Sequence, residues 1–258
     1  MRILLTNDDG IHAPGLKVLE KIARRLSDDV TIVAPSEEQS GTGHSLTLSR
    51  PVRLRRMGEN RYSVSGTPTD SVMMALNVVM KDSPPDLILS GVNRGANLGE
   101  DVTYSGTVSA AMEGALAGVR SVALSQVYHR EGMGDYAPWE VTERWGEEVL
   151  RPLLTADWAE RTLLSVNFPA VPPDAVKGIR VVSQGLRDYG RTRVIKRTDP
   201  RGFDYYWLAL GQVVHTAHHV TDLESIEDGY VTVVPLHLDM THQPALKQLS
   251  ALYGNAGD

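Results

Sequence analysis

Met1-Arg-Ile-Leu-Leu-Thr-Asn-Asp-Asp-Gly-Ile-His-Ala-Pro-Gly15 is the stretch from which the rest of the chain is read. Ile3 to Leu5 is a short apolar run of the kind that becomes a buried strand. It stops at Asn7-Asp8-Asp9-Gly10. Pro14 then opens a helical pattern, with Leu16, Leu19, Ile22, Ala23 and Leu26 on one face. Two carboxylates therefore stand where a strand hands over to a helix. In open parallel sheets, ligands bind in the crevice beyond the carboxyl ends of the strands. Adjacent acids there repel each other unless a proton or a cation separates them. The expectation is that Asp8 and Asp9 hold a divalent metal.

Working outward, strand-like and helix-like runs alternate through the first half. Val30 to Ala34 is a second apolar strand, followed by a polar loop from Ser36 to His44. Ser45 to Arg56 and Tyr62 to Ser65 alternate as two strands of a hairpin. Thr67-Pro-Thr-Asp70 starts a helix, with Thr67 as N-cap, and Val72, Met73, Leu76, Val79 and Met80 form its apolar face. Asp86 to Ser90 and Val119 to Ser125 are further strands, and Val108 to Leu116 and Trp139 to Leu154 further helices. This alternation predicts an α/β fold with a doubly wound, mostly parallel sheet and right-handed crossovers. After about residue 160 strands dominate: Leu163 to Phe168, Gly178 to Ser183, Arg191 to Lys196, Tyr205 to Leu210 and Tyr230 to Leu236. Pro244 to Tyr253 reads as a terminal helix. The expected division is an α/β core at 1–160 carrying the site, and a strand-rich extension at 161–258 that is not an independent domain.

With 258 residues, 41% hydrophobic and 22% charged, the composition is that of a soluble globular protein with a sizeable core. Lys+Arg of 26 against Asp+Glu of 32 gives a net charge of −6, which argues against a nucleic-acid polymer as partner. It leaves room for a small anion, since a metal and backbone N–H groups create local positive potential. The chain has no cysteine, which excludes disulfides, thiolate metal sites and cysteine nucleophiles. No apolar run is long enough for a membrane span, and the first is too short for a signal peptide. A soluble, cytoplasmic protein is expected.

Three loops gather the chemistry, each after a buried strand: one with Asn7, Asp8 and Asp9; one with Gln39, Ser40, Gly41, Gly43 and His44; one with Ser90, Gly91, Asn93 and Asn97, leading to Ser105-Gly106-Thr107. In a parallel sheet they share one edge. Their carboxylate, hydroxyl and amide oxygens are hard donors suited to Mg²⁺, Mn²⁺ or Ca²⁺. Ser105-Gly106-Thr107 opens a helix, whose free N–H groups attract an anion. Metal and anion nest together point to phosphoryl chemistry. Asn93 and Asn97 also read as left-handed turn residues beside glycines, and Ser105 and Thr107 as helix caps. Gly41-Thr-Gly43 lacks the third glycine and the helix start of a dinucleotide loop.

Asn7-Asp-Asp-Gly10 with His12-Ala-Pro-Gly15, Gln39-Ser-Gly41, Gly66-Thr-Pro-Thr-Asp70, Ser90-Gly-Val-Asn93, Asn97-Leu-Gly99 and Tyr104-Ser-Gly-Thr-Val108 together resemble the SurE family of stationary-phase survival proteins. Asp199-Pro-Arg-Gly202, Asp228-Gly-Tyr230 and Pro235-Leu-His237 extend the resemblance to about residue 240. The resemblance implies a Rossmann-like core and metal-dependent 5′-nucleotidase activity on nucleoside monophosphates, sometimes 3′ as well, or on short polyphosphate. It implies one divalent ion, Mg²⁺ or Mn²⁺, at Asp8, Asp9, Ser40 and Asn93, and phosphate contacts from Asn97, Ser105, Gly106 and Thr107. It also implies homodimers or homotetramers formed through a swapped C-terminal extension. Arg94 and Ala96, between matched positions, are candidates for tuning substrate preference.

The expected catalytic residues are Asp8 and Asp9: Asp9 holds the metal, and Asp8 binds it and orients an attacking water. Attack by Asp8 itself, forming an aspartyl-phosphate, stays open. Two rival readings compete. A metal-dependent deacetylase also places paired acids after its first strand but adds nearby histidine ligands, and no His-x-x-His pair lies near Asp8 and Asp9 in the sequence. A receiver-like signalling module needs an Asp at a later strand end, whereas Asp86 precedes its strand. His12 and His44, in or near the active loops, are read as structural hydrogen-bonding residues, with a role as an acid the alternative, and the adjacent His218 and His219 as surface or packing residues; His237 has no assigned role.

Overall fold

The structure, a computed structural model, describes residues 1–128, 136–186, 193–209 and 220–253. His218 and His219 lie outside the described residues. The first strand, β1 (Ile3–Thr6), is buried throughout because it runs through the middle of a parallel sheet. Alternate side chains serve opposite faces. Ile3 and Leu5 pack with α1 (Pro14–Leu26) and α4 (Trp139–Leu153), while Leu4 packs toward α2 (Pro68–Met74). β2 (Val30–Pro35) and β5 (Leu87–Arg94) repeat that alternation, with Ile32, Leu87 and Leu89 on the first face and Val33 and Ile88 on the second.

Among the described residues the sheet has nine strands, in the order β3-β4-β2-β1-β5-β6-β7-β11-β8. β6 is Arg120–Gln126, β7 Thr162–Phe168, β8 Ile179–Val181 and β11 Val231–His237. Most neighbours are parallel; β3 (Leu54–Gly58) with β4 (Arg61–Val64), and β7 with β11, are antiparallel. The sheet therefore continues past residue 160 without a break. α3 (Gly106–Leu116) covers β6 and β7 on the second face. β9 (Arg193–Thr198) and β10 (Asp204–Ala209) form a separate antiparallel hairpin, α5 is Asp222–Glu227, and α6 (Gln243–Leu252) buries no residue.

Two local expectations change. Residues 45–53 form no strand; only Leu54–Gly58 pairs with β4. The segment is held over the start of α2 instead, where the Thr47 N–H donates to Asp70 Oδ1 (3.0 Å) and the Ser45 carbonyl accepts from Thr67 Oγ1 (2.8 Å). Its alternating pattern has no partner strand, and Leu46 and Leu48 stay exposed. α2 also widens after Met74, with the Met80 N–H donating to the Ala75 carbonyl five residues back (2.8 Å). Of the expected apolar face, Val72 and Met80 are buried, whereas Met73 is exposed and Ala75 is buried in its place.

Candidate active site

β2, β1 and β5 are adjacent and parallel, so the loops leaving them open at one edge of the sheet. The chain steps outward from β1 to β2 on one side and to β5 on the other, which makes a crevice at this strand-order reversal. The loops are stapled to each other by backbone bonds. Gln39 N–H donates to the Asp8 carbonyl (2.8 Å), Ile11 N–H to the Pro35 carbonyl (2.8 Å), and Gly43 N–H to the Tyr104 carbonyl (3.1 Å).

Asp8 lies in this crevice with 5% of its surface exposed. The helix start that faces it is α3. Thr107 Oγ1 donates to Asp8 Oδ1 at 2.5 Å, and the Thr107 backbone N–H acts on the same carboxylate. Gly106 permits this approach: a Cβ there would stand 2.8 Å from Asp8 Cβ and 3.1 Å from Pro68 Cγ. Ser105 caps α3, its Oγ accepting from Val108 N–H (3.1 Å). Asp9 Oδ2 accepts from the Arg94 N–H (3.3 Å), next in sequence to Asn93, and the Arg94 guanidinium stacks over the Tyr128 ring (4.9 Å). Asn93 Nδ2 donates to the Gly95 carbonyl (3.0 Å), and exposed Ser40 donates to Glu38 Oε1 (2.7 Å).

Burial pushes the Asp8 carboxyl up from 3.8 to about 6; the charge of Asp9 adds to this, and the Thr107 hydrogen bond opposes it. Asp9 is also raised, first by burial, against the Arg94 N–H, with Glu38 adding repulsion. A desolvated acid pair beside a third carboxylate is an environment that a cation relieves. The buried oxygens Asn7 Oδ1, just past β1, and Ser90 Oγ, within β5 opposite Thr6, have no hydrogen-bond partner. Carboxylate, hydroxyl and amide oxygen together suit a hard divalent ion. Among the described residues no group of three or more His, Cys, Asp or Glu side chains gathers as metal ligands.

Of the residues singled out from sequence, Asp8 and Thr107 are in direct contact, Gly106 adjoins Asp8, and Asp9 meets the end of strand β5 beside Asn93, which the sequence reading places in a loop. Asn97 is buried and held in place: its N–H donates to Asn167 Oδ1 (2.9 Å), its carbonyl accepts from Asn167 Nδ2 (3.0 Å), and its Nδ2 donates to Ser125 Oγ (2.8 Å). His44 Nε2 lies 3.0 Å from Glu113 Oε2, and His12 is exposed. Glu38, Ser125 and Asn167 were not found from sequence. A polar residue within the apolar run of β7 is the one available hint of Asn167. Asp86 sits at the opposite edge, where its carboxylate accepts from the Arg2 N–H (2.6 Å).

A crevice at the carboxyl edge of a parallel sheet, walled by two desolvated carboxylates and a helix start, defines an α/β protein with an acidic, oxygen-rich cleft at its sheet edge. Residues 3–191 match the family model described as Survival protein SurE, and the chain belongs to that family. A relative named 5′-nucleotidase SurE from Rhizorhabdus wittichii is 68% identical over 98% of this chain and 100% of its own length. Another of that name from Caulobacter vibrioides is 49% identical over 99% of this chain and 97% of its own. The crystal structure of the SurE protein from Aquifex aeolicus superposes with a TM-score of 0.83 at 40% identity, covering 98% of this chain and 100% of that one. Among the described residues, no helix is long and apolar enough to cross a membrane.

Proposed function

We propose that this chain is a metal-dependent phosphomonoesterase that hydrolyses nucleoside 5′-monophosphates to nucleoside and phosphate. The names of its relatives supply the substrate class. The observation that carries the chemistry is Asp8, a buried carboxylate seated against the start of α3 and beside Asp9. Asp8, Asp9, Ser40 and Asn93 are the residues that would hold the ion, Mg²⁺ or Mn²⁺. When bound, such an ion supplies positive charge to offset the acid pair and the phosphoryl oxygens.

The chain's own groups do the rest. Thr107 fixes the orientation of Asp8, which directs a water toward phosphorus. The N–H of Gly106 and the hydroxyl of Ser105 are donors at a helix N-terminus, where charge building on the equatorial oxygens is stabilised. Thr107 serves the phosphate through Asp8 as well as through the helix start. Asn97 presents its amide from a turn whose backbone is already tied down. Among the described residues no histidine set gathers as the metal ligands of a deacetylase, and Asp86 at the far edge of the sheet does not support a receiver module.

The hairpin β9–β10 and helix α6 carry exposed apolar side chains and belong to a subunit contact, in a dimer or tetramer with exchanged C-terminal segments. The lack of cysteine fits a reducing cytoplasm. The decisive assay is a panel of nucleoside 5′- and 3′-monophosphates and short polyphosphate, run with chelator and then with added Mg²⁺, Mn²⁺ or Ca²⁺. Phosphate release from 5′-monophosphates only after Mg²⁺ or Mn²⁺ is added is the expected result. Release unaffected by chelator defeats the proposal. Acid quenching tests the nucleophile, since a stoichiometric phosphoryl adduct on Asp8 would replace direct attack by water.

A further inference from the structure

We infer that Asp222, on the C-terminal side of the chain, is a positioning residue for the phosphate site. The inference rests on the phosphomonoesterase reading above. Asp222 is 1% exposed, and its two carboxylate oxygens are used separately. Oδ2 accepts from the Gly99 N–H (2.8 Å), and Oδ1 accepts from the Gly185 N–H (2.7 Å). One side chain thus joins two backbone segments that are far apart in sequence. Gln184 Nε2 adds a bond to the Gly99 carbonyl (2.9 Å), and the Asp222 N–H donates to the Ser183 carbonyl (3.1 Å). Leu98 packs with Leu223 and Ile226 in a small apolar cluster of its own. The approach is close: a Cβ on Gly185 would lie 2.6 Å from Leu223 Cδ1.

Gly99 links this clamp to the start of α3. It takes a positive φ of 55° and begins a single short helix, Gly99–Thr103. The Asp101 carbonyl of that helix accepts from the Ser105 N–H (3.1 Å), and Ser105 caps α3. Asn97, two residues before Gly99, is tied on its other side to Asn167 and Ser125. The 97–99 turn is therefore clamped from two sides, by the core strands and by Asp222. Releasing the second clamp frees Gly99 to leave its left-handed conformation, and with it both Asn97 and the N-cap of α3 shift. Asparagine cannot replace the aspartate: one of its two head atoms is an N–H donor, and both facing groups are donors.

The test uses the full chain with Mn²⁺. Asp222→Asn is compared with wild type and with Val233→Ala, a buried β11 variant that lowers stability away from the turn. For a nucleoside 5′-monophosphate, Asp222→Asn is expected to raise KM about tenfold, as for one lost well-placed contact. Its kcat should fall as well, because the start of α3 moves with the turn, and amide exchange should quicken across 97–105. Val233→Ala should lower Tm and leave KM unchanged. If Asp222→Asn does not fold, Gln184→Ala carries the test, with a smaller KM increase expected. A KM within about twofold of wild type for the folded variant, with only Tm lowered, overturns the inference. Wild-type protein that releases no phosphate with any cation defeats the proposed function, and this inference with it.

Discussion

Asp8 is stabilised as a neutral acid by its surroundings and is poised to be a charged one in use. Its raised pKa has a definite consequence for stability. In the folded, metal-free chain the group holds its proton up to about pH 6, while an unfolded Asp releases it near 3.8. Its contribution is therefore most favourable at low pH and is lost as pH rises between those values, on the order of 3 kcal/mol in all. Asp8→Asn keeps the shape and the Thr107 hydrogen bond without the charge. With chelator present, Asp8→Asn should melt above wild type at pH 7.5 and converge with it near pH 4, as read by calorimetry. The same variant, and Asp9→Asn, should lower phosphate release by at least about 10²-fold with metal present; near-normal turnover by either would remove the pair from the site. Gly106→Ala places a methyl against Asp8 and Pro68, so activity should fall together with about 1–3 kcal/mol of stability in urea unfolding. Asp8 and Gly106 were legible in sequence. That the Thr107 hydroxyl turns to Asp8 was not, since that bond joins residues 99 apart.

At the scale of elements, caps decide more than propensity does. Thr67 and Asp70 make reciprocal bonds at the start of α2: the Asp70 N–H donates to Thr67 Oγ1 (3.1 Å) and the Thr67 N–H to Asp70 Oδ2 (2.8 Å). Asp70 also holds Thr47, and this lowers its own pKa, although burial works against that. Thr67→Ala should cost about 1–2 kcal/mol in denaturant midpoint analysis. It should also loosen residues 45–47, detectable as faster amide exchange there. A change under about 0.3 kcal/mol would show that the 45–53 segment does not depend on this cap. Thr67-Pro68 announced the helix start because an N-cap is a local event. The alternation of 45–53 misled because a strand exists only where another strand offers its backbone.

Across the whole molecule, most strand positions satisfy one contiguous sheet, but the hairpin β9–β10 stands apart from it. A lone two-stranded ribbon is marginal in water. Here Phe203 is 70% and Trp207 61% exposed, with Tyr205 set edge-on to Trp207 (6.3 Å). An interface between copies of the chain would cover them. Trp207→Asp is expected to shift sedimentation toward a smaller species with the far-ultraviolet spectrum unchanged; an unchanged sedimentation coefficient would count against an interface at this hairpin. By itself the sequence determined the strand–helix alternation, the three polar loops and the hard-oxygen character of the site, because each depends on periodicity or turn chemistry within a few residues. Only the tertiary structure decided that Glu38 crowds Asp9, that Asn167 and Ser125 bind Asn97, and that Asp222 clamps Gly99. Those contacts span long stretches of chain, and a hydrogen bond of that reach exists only once strand order and register have put its two ends together.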